Sequence, residues 1–164
     1  MAVWDILLLG NSKLYQESRK VKRKELEELE PVIEDLHDTL VAFREEYGWG
    51  RAIAAPQIGV MKRIVYMLVN EPVVLINPVI KLRTRRKIEI WDDCMSCPDL
   101  LVKVKRYRRI KVEYRDLAWK KRSMYLEGKL GALLQHEADH LKGILITQRA
   151  ISDKSFALRS ERGV

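Results

Sequence analysis

The stretch LGALLQHEADHLKGIL, Leu130 to Leu145, constrains the fold most, because it sets two histidines and a glutamate inside an apolar run of helical spacing. Leu126, Leu130, Leu133, Leu134 and Leu141 line one broad face, so a helix from about Glu127 to Gly143 has to be buried against a sheet. His136 and His140 are four apart, about 40° around that helix. Both imidazoles can therefore turn toward one point, with Glu137 beside them. Gly131 in mid-helix costs about 1 kcal/mol relative to alanine, which implies close packing or close ligand approach there.

The rest of the chain supplies the sheet. Leu26, Leu29, Val32, Ile33, Leu36, Leu40 and Phe43 recur at helical spacing, which predicts an N-terminal amphipathic helix between Lys22 and Glu46 closed by Gly48. His37 lies beside that stripe in a charged setting and reads as a surface residue. From Arg63 to Tyr125 the pattern changes to short runs, RIVYMLV, VVLINPVIKL, KIEIW, LLVKVKRY and RRIKVEYRD, and DLAWKKR reads as a hairpin connection to SMYL. In RIKVEY, Ile110, Val112 and Tyr114 alternate with charged residues, as in a strand with one buried face. The fold class is α+β, with mixed or antiparallel short strands packed around a central HExxH helix. At 164 residues and 47% apolar content, and with no repeat or linker, the expectation is one domain spanning 1–164.

Charge and address follow. A net charge of +8 favours acidic partners or RNA-rich surroundings without choosing between them, and plain solubility also accounts for it. MAVWDILLLG has no basic n-region, and Asp5 interrupts an apolar run too short to span a membrane, so neither signal peptide nor anchor is expected. Cys94 and Cys97 are the only cysteines and lie too close for a long-loop disulfide, which suits a reducing, cytoplasmic setting.

The chemistry has two readings at this stage. A divalent ion held by His136 and His140 would acidify a water, and Glu137 would take its proton, which suits amide hydrolysis. Alternatively, Cys94 and Cys97 with the two histidines would close a tetrahedral Cys2His2 zinc site in a non-catalytic, basic domain. The long separation between the pairs, the apolar surface of the helix and the presence of Glu137 count against the closed site.

Three ordered segments, GRAIAAPQ (Gly50 to Gln57), DDCMS (Asp92 to Ser96) and QHEADH (Gln135 to His140), resemble the G-x-G-x-A-A-x-Q, E-G-C-x-S and Q-H-E-x-D-H motifs of the peptide deformylases, and the resemblance spans nearly the whole chain. It implies Cys94, His136 and His140 as metal ligands and Glu137 as general base, then acid. Gln57, through its side-chain amide, and Met95, through its backbone N–H, would be the oxyanion donors. It implies Fe2+ as the native ion, with Zn2+, Ni2+ or Co2+ able to replace it, and N-formylmethionyl peptides as substrate. Another N-acyl substrate on the same fold is the alternative, and the basic surface offers a route to the ribosome.

Under the same resemblance, the GRAIAAPQ segment, with Gly50 and Ala52, pairs with the substrate backbone as an added strand, and Ile90 and Leu133 line the methionine pocket. Asp139 holds an imidazole or Arg106, and Cys97 is a packing residue. The departures from the motifs are Arg51, Ala52, Asp92 and Asp93, with Lys129 near the pocket. Asp93 is expected at the cleft rim with Arg51 on the opposite wall, and a free Asp93 would favour basic residues after methionine.

Overall fold

The computed structural model describes every residue except Met1, Arg83 and Val164, and only the backbone of Leu82. Ala52–Ala54 (β1), Ile64–Leu68 (β2), Pro72–Leu82 (β3), Arg109–Arg115 (β6) and Lys121–Glu127 (β7) form an antiparallel five-stranded sheet in the order β1-β2-β3-β6-β7. Lys87–Asp93 (β4), Leu100–Tyr107 (β5) and Phe156–Leu158 (β8) form a second sheet in the order β4-β5-β8. Helices Glu30–Tyr47 (α1), Gly128–His140 (α2) and Arg159–Arg162 (α3) complete the chain. The fold is a mixture of helices and antiparallel sheet.

The five-stranded sheet is covered on both faces, and β2 shows how. Ile64 and Tyr66 pack with Leu36, Leu40 and Phe43 of α1, while Val65 and Met67 point the other way, into the cluster with Leu134 of α2. A strand with period-two side chains and two buried faces reads as a continuous apolar run, which is why RIVYML shows no alternation. α2 touches β1, β3, β6 and β7 of one sheet and β5 of the other, and so joins the two.

The helix expected over Lys22 to Glu46 is divided. A 3-10 turn, Arg23–Glu28, precedes α1, which starts at Glu30 because Pro31 lacks an N–H and fits only the first helical turn. Gly48 closes α1 with φ 77°, as its position suggested. α2 likewise stops at His140 rather than continuing to Gly143. At Gly143, φ is 71° and a Cβ would stand 2.5 Å from the Tyr15 carbonyl, so the chain turns there against the N-terminal segment. A Cβ at Gly131 would meet the Leu126 carbonyl oxygen at 3.3 Å, so packing against the end of β7 keeps that side chain absent.

Candidate active site

Two sheet edges face each other across a cleft of about 520 Å3: β1, one of the two outer strands of the larger sheet, and β4, one of the two of the smaller. α2 forms the floor. Gly50, Arg51, Ala52 and Gln57 line one wall, Ile90, Asp92, Asp93, Cys94 and Met95 the other, and Lys129, Leu133, His136 and Glu137 the floor.

Cys94 leaves the end of β4 into a turn closed by the Cys97 N–H donating to the Cys94 carbonyl at 2.9 Å. Its buried Sγ lies 3.3 Å from His140 Nε2, which is 3.2 Å from His136 Nε2. The ligand atoms of Cys94, His136 and His140 all lie within 4.8 Å of one another, and Cys97 is outside this group. A tetrahedral N/S set around one ion has ligand-to-ligand edges of about 3.3–3.6 Å. Two imidazole nitrogens and a thiol at these separations therefore fit a shared divalent ion. Glu137 Oε2 is buried with no hydrogen-bond partner among the described residues and retains unspent capacity in the same cleft, while His140 Nδ1, also unpartnered, lies on the side of its ring away from that point.

The charges around the triad are set by burial and by Asp92. Burial works against an imidazolium at His136, but Asp92, whose Oδ2 is 3.0 Å from Nδ1, outweighs it and holds His136 up at about 9. Burial also opposes an ionised Asp92, and His136 and Arg106 together overcome it, keeping that carboxyl at about 2. Burial pushes Glu137 up to about 7 and drives His140 well down, the latter with help from neighbouring His136. The adjacent Cys97 thiol and burial raise Cys94 well above the usual thiol range.

Gln57 comes from the 3-10 turn Ala55–Ile58 that follows β1. Its Oε1 accepts from the Ala54 N–H at 2.9 Å, which fixes the amide so that Nε2 points at Ser96 Oγ (3.1 Å) and Cys94 Sγ (3.8 Å). The N-terminal segment ties the two walls together: the Leu7 N–H donates to the Gln57 carbonyl at 2.8 Å and the Leu9 N–H to the Ser96 carbonyl at 2.7 Å.

Several sequence expectations change in detail. Gly50 has φ 118°, and Phe43, Leu40 and Met95 occupy the space a Cβ would need, so its missing side chain serves packing as well as the wall. Asp92 rather than Asp139 orients an imidazole. Asp139 takes the other alternative expected of it, binding Arg106 at 2.5 Å, and binds Arg149 at 2.7 Å as well. Asp93 stands at the cleft but is not free for substrate: Arg159 of α3 holds its carboxylate at 2.9 Å, donates to the Pro98 carbonyl and lies 4.2 Å over the Trp49 ring. Arg159 and the Leu7–Leu9 segment escaped the sequence reading, which placed Ser96 in a motif without giving it a contact. Alternation along β4 would have grouped Asp92 with Ile90 on one face, but the contacts of Arg159 have no local signal.

Donors converging beside a buried carboxylate, in a cleft open enough for a peptide, belong to the hydrolases that work through a metal ion. Comparison with known proteins narrows the class: residues 3–156 match the family model described as polypeptide deformylase, and the chain belongs to that family. Peptide deformylase 1 of Nitrosomonas europaea is 34% identical over 162 residues, covering 92% of this chain and 89% of its own. The crystal structure of peptide deformylase from Thermotoga maritima superposes with a TM-score of 0.85 at 31% identity, covering 93% of this chain and 100% of that one. The Synechococcus elongatus deformylase in complex with actinonin gives 0.84 at 27% identity, with 98% and 86% covered. The chain is an enzyme, a metallohydrolase.

Proposed function

We propose that this chain removes the formyl group from N-terminal formyl-methionine of new polypeptides and releases formate, with Cys94, His136 and His140 holding one divalent ion. The observation that carries this reading is the buried thiol–imidazole–imidazole group within 4.8 Å, in a chain of the deformylase family. When bound, the ion supplies Lewis acidity, which acidifies water and polarises a carbonyl oxygen. Glu137, held near neutrality by burial, takes a proton from the attacking water and returns it to the leaving amine nitrogen. Gln57 Nε2–H and the Met95 backbone N–H donate to the oxygen as it gains charge. Asp92 fixes the His136 ring through Nδ1, leaving Nε2 for the ion.

The substrate backbone lies between the edges of β1 and β4, where unpaired strand groups accept an added strand. Ile90 and Leu133 take the methionine side chain, with Gly50, Arg51, Ala52 and Asp93 along the walls. Ferrous iron is the proposed native ion, and zinc, nickel or cobalt suit the same donors. We take residues 1–164 as one catalytic unit working in the cytoplasm. Among the described residues no helix is long and apolar enough to cross a membrane. Basic stretches such as Lys103–Lys111 offer a surface for ribosomal RNA.

The test is formate release by metal-loaded enzyme from a formyl-methionyl peptide and its acetyl counterpart. Release of formate with no release of acetate is expected. Cleavage of the acetyl peptide alone would favour a metallo-amidase with another acyl substrate.

A further inference from the structure

Beyond the ligand group, the cleft carries an unbalanced charge. Arg44, Arg51 and Lys129 all line it. Arg44 is committed to the protein, donating through Nε to the Gly50 carbonyl at 2.9 Å and through Nη2 to the Leu68 carbonyl at 2.8 Å. Arg51 and Lys129 are exposed, and neither side chain has a hydrogen-bond or ionic partner among the described residues. On the acidic side, among the described residues lining the cleft, nothing comparable is free at the mouth. Asp92 is shared between His136 and Arg106, Asp93 is held by Arg159, and Glu137 is buried at the floor.

The two free cations sit at the outer ends of the elements that carry the chemistry. Lys129, Leu133 and His136 follow one another along α2 at intervals of four and three and all line the cleft, so they share a face. At 1.5 Å rise per residue, Lys129 is about 10 Å along the helix from His136. Arg51 precedes β1 on the opposite wall, with Gln57 beyond the far end of that strand. Moving outward from the reacting groups, the cleft is polar, then apolar at Ile90 and Leu133, then cationic. In an extended peptide each residue advances by about 3.3–3.6 Å, so an acidic side chain one or two residues beyond the formylated one reaches about 8–12 Å from the formyl carbon.

We propose that Arg51 and Lys129 select formyl peptides with an acidic residue at the second or third position. This rests on the deformylase reading and reverses the selectivity that a free Asp93 would have given. Arg159 contributes by occupying Asp93, which would otherwise cancel part of the positive field.

The experiment measures kcat/KM of the metal-loaded enzyme on formyl-methionyl peptides with Glu, Gln or Lys at the second and third positions. Exposed ion pairs are individually weak, so the expected Glu-to-Gln ratio at low salt is about five, with Lys below Gln. The ratio falls toward one near 0.5 M salt, about where the screening length drops below 5 Å. The double variant Arg51→Gln/Lys129→Gln brings the low-salt ratio to about one, whereas Arg51→Lys/Lys129→Arg keeps it. Arg159→Gln lowers it. A ratio of one or less in the unsubstituted enzyme, or one retained by the double glutamine variant, would overturn the inference while leaving the deformylase reading intact. Failure to cleave even the Gln peptide would overturn both.

Discussion

Two neighbouring stripes of α2 are both polar and both buried, yet they are built differently. On one, Gln135 accepts from the Tyr107 N–H at 2.9 Å and donates to the Tyr107 carbonyl at 2.9 Å and the Gly131 carbonyl at 3.0 Å, while Asp139 is shared by Arg106 and Arg149. On the other, His136 and His140 turn their Nε2 atoms toward a common point, and Glu137 Oε2 is left without a partner in the same cleft. Burying a polar group without a partner is costly, so the filled stripe holds α2 to β5, whereas the unfilled one matches the role proposed for it in holding an ion and meeting substrate.

The sharpest break in this comparison is at the ligands. Cys94→Ser is expected to take metal content from about one ion per chain to almost none, because a thiolate donor is lost, while Cys97→Ser keeps it. Elemental analysis of both variants checks this, and equal loss from both would restore the closed Cys2His2 site. Next is Glu137→Gln, which keeps metal but lowers formate release by at least about 10²-fold. Its urea midpoint should stay level or rise, since an unpartnered buried carboxylate is removed.

The filled stripe should respond in the opposite way. Asp139→Asn leaves Arg106 with Asp92 as its remaining buried counter-charge and costs about 2 kcal/mol in urea unfolding. Gln135→Leu strands both backbone groups of Tyr107 and costs about 1–2 kcal/mol by the same measurement.

The smallest effect belongs to a filled carboxylate away from α2. Hydrogen bonds from Arg19 and the Lys22 backbone N–H hold Glu25 at about 2, below its unfolded value near 4.5. Its contribution is therefore complete above about 4.5 and is lost as pH falls from there toward about 2. Glu25→Gln should flatten the acid dependence of the thermal midpoint in that window.

Legibility in the sequence followed the range of the interaction. The spacing of Leu130, Leu133, Leu134, His136 and His140 repeats every turn, so the helix and its paired imidazoles could be read from one short window. Gly48 could be read as a helix stop for the same local reason. Pro31 marked the division before α1, but the apolar stripe running through Leu26 and Leu29 obscured it. Phe156–Leu158 is too short and too exposed to carry a strand pattern, so the basic C-terminal tail from Thr147 to Gly163 shows nothing but charge in its sequence. In the structure that tail spends Arg149 on Asp139, Arg159 on Asp93 and Arg162 on the Trp91 ring. The ion pair between Arg159 and Asp93 alone spans 66 positions, and no local pattern announces it.

The facing edges of β1 and β4 have a consequence for the behaviour of the chain in a crowded solution. An open strand edge is a template for any other extended segment and a common origin of aggregation. Here both edges look inward across one cleft above α2, so a preformed sheet from another molecule is too broad to dock on either, while a single extended chain can enter lengthwise. The geometry proposed to admit one peptide end at a time thereby also shields these two edges from sheet-to-sheet association, while β7 and β8 form the opposite edges of the two sheets.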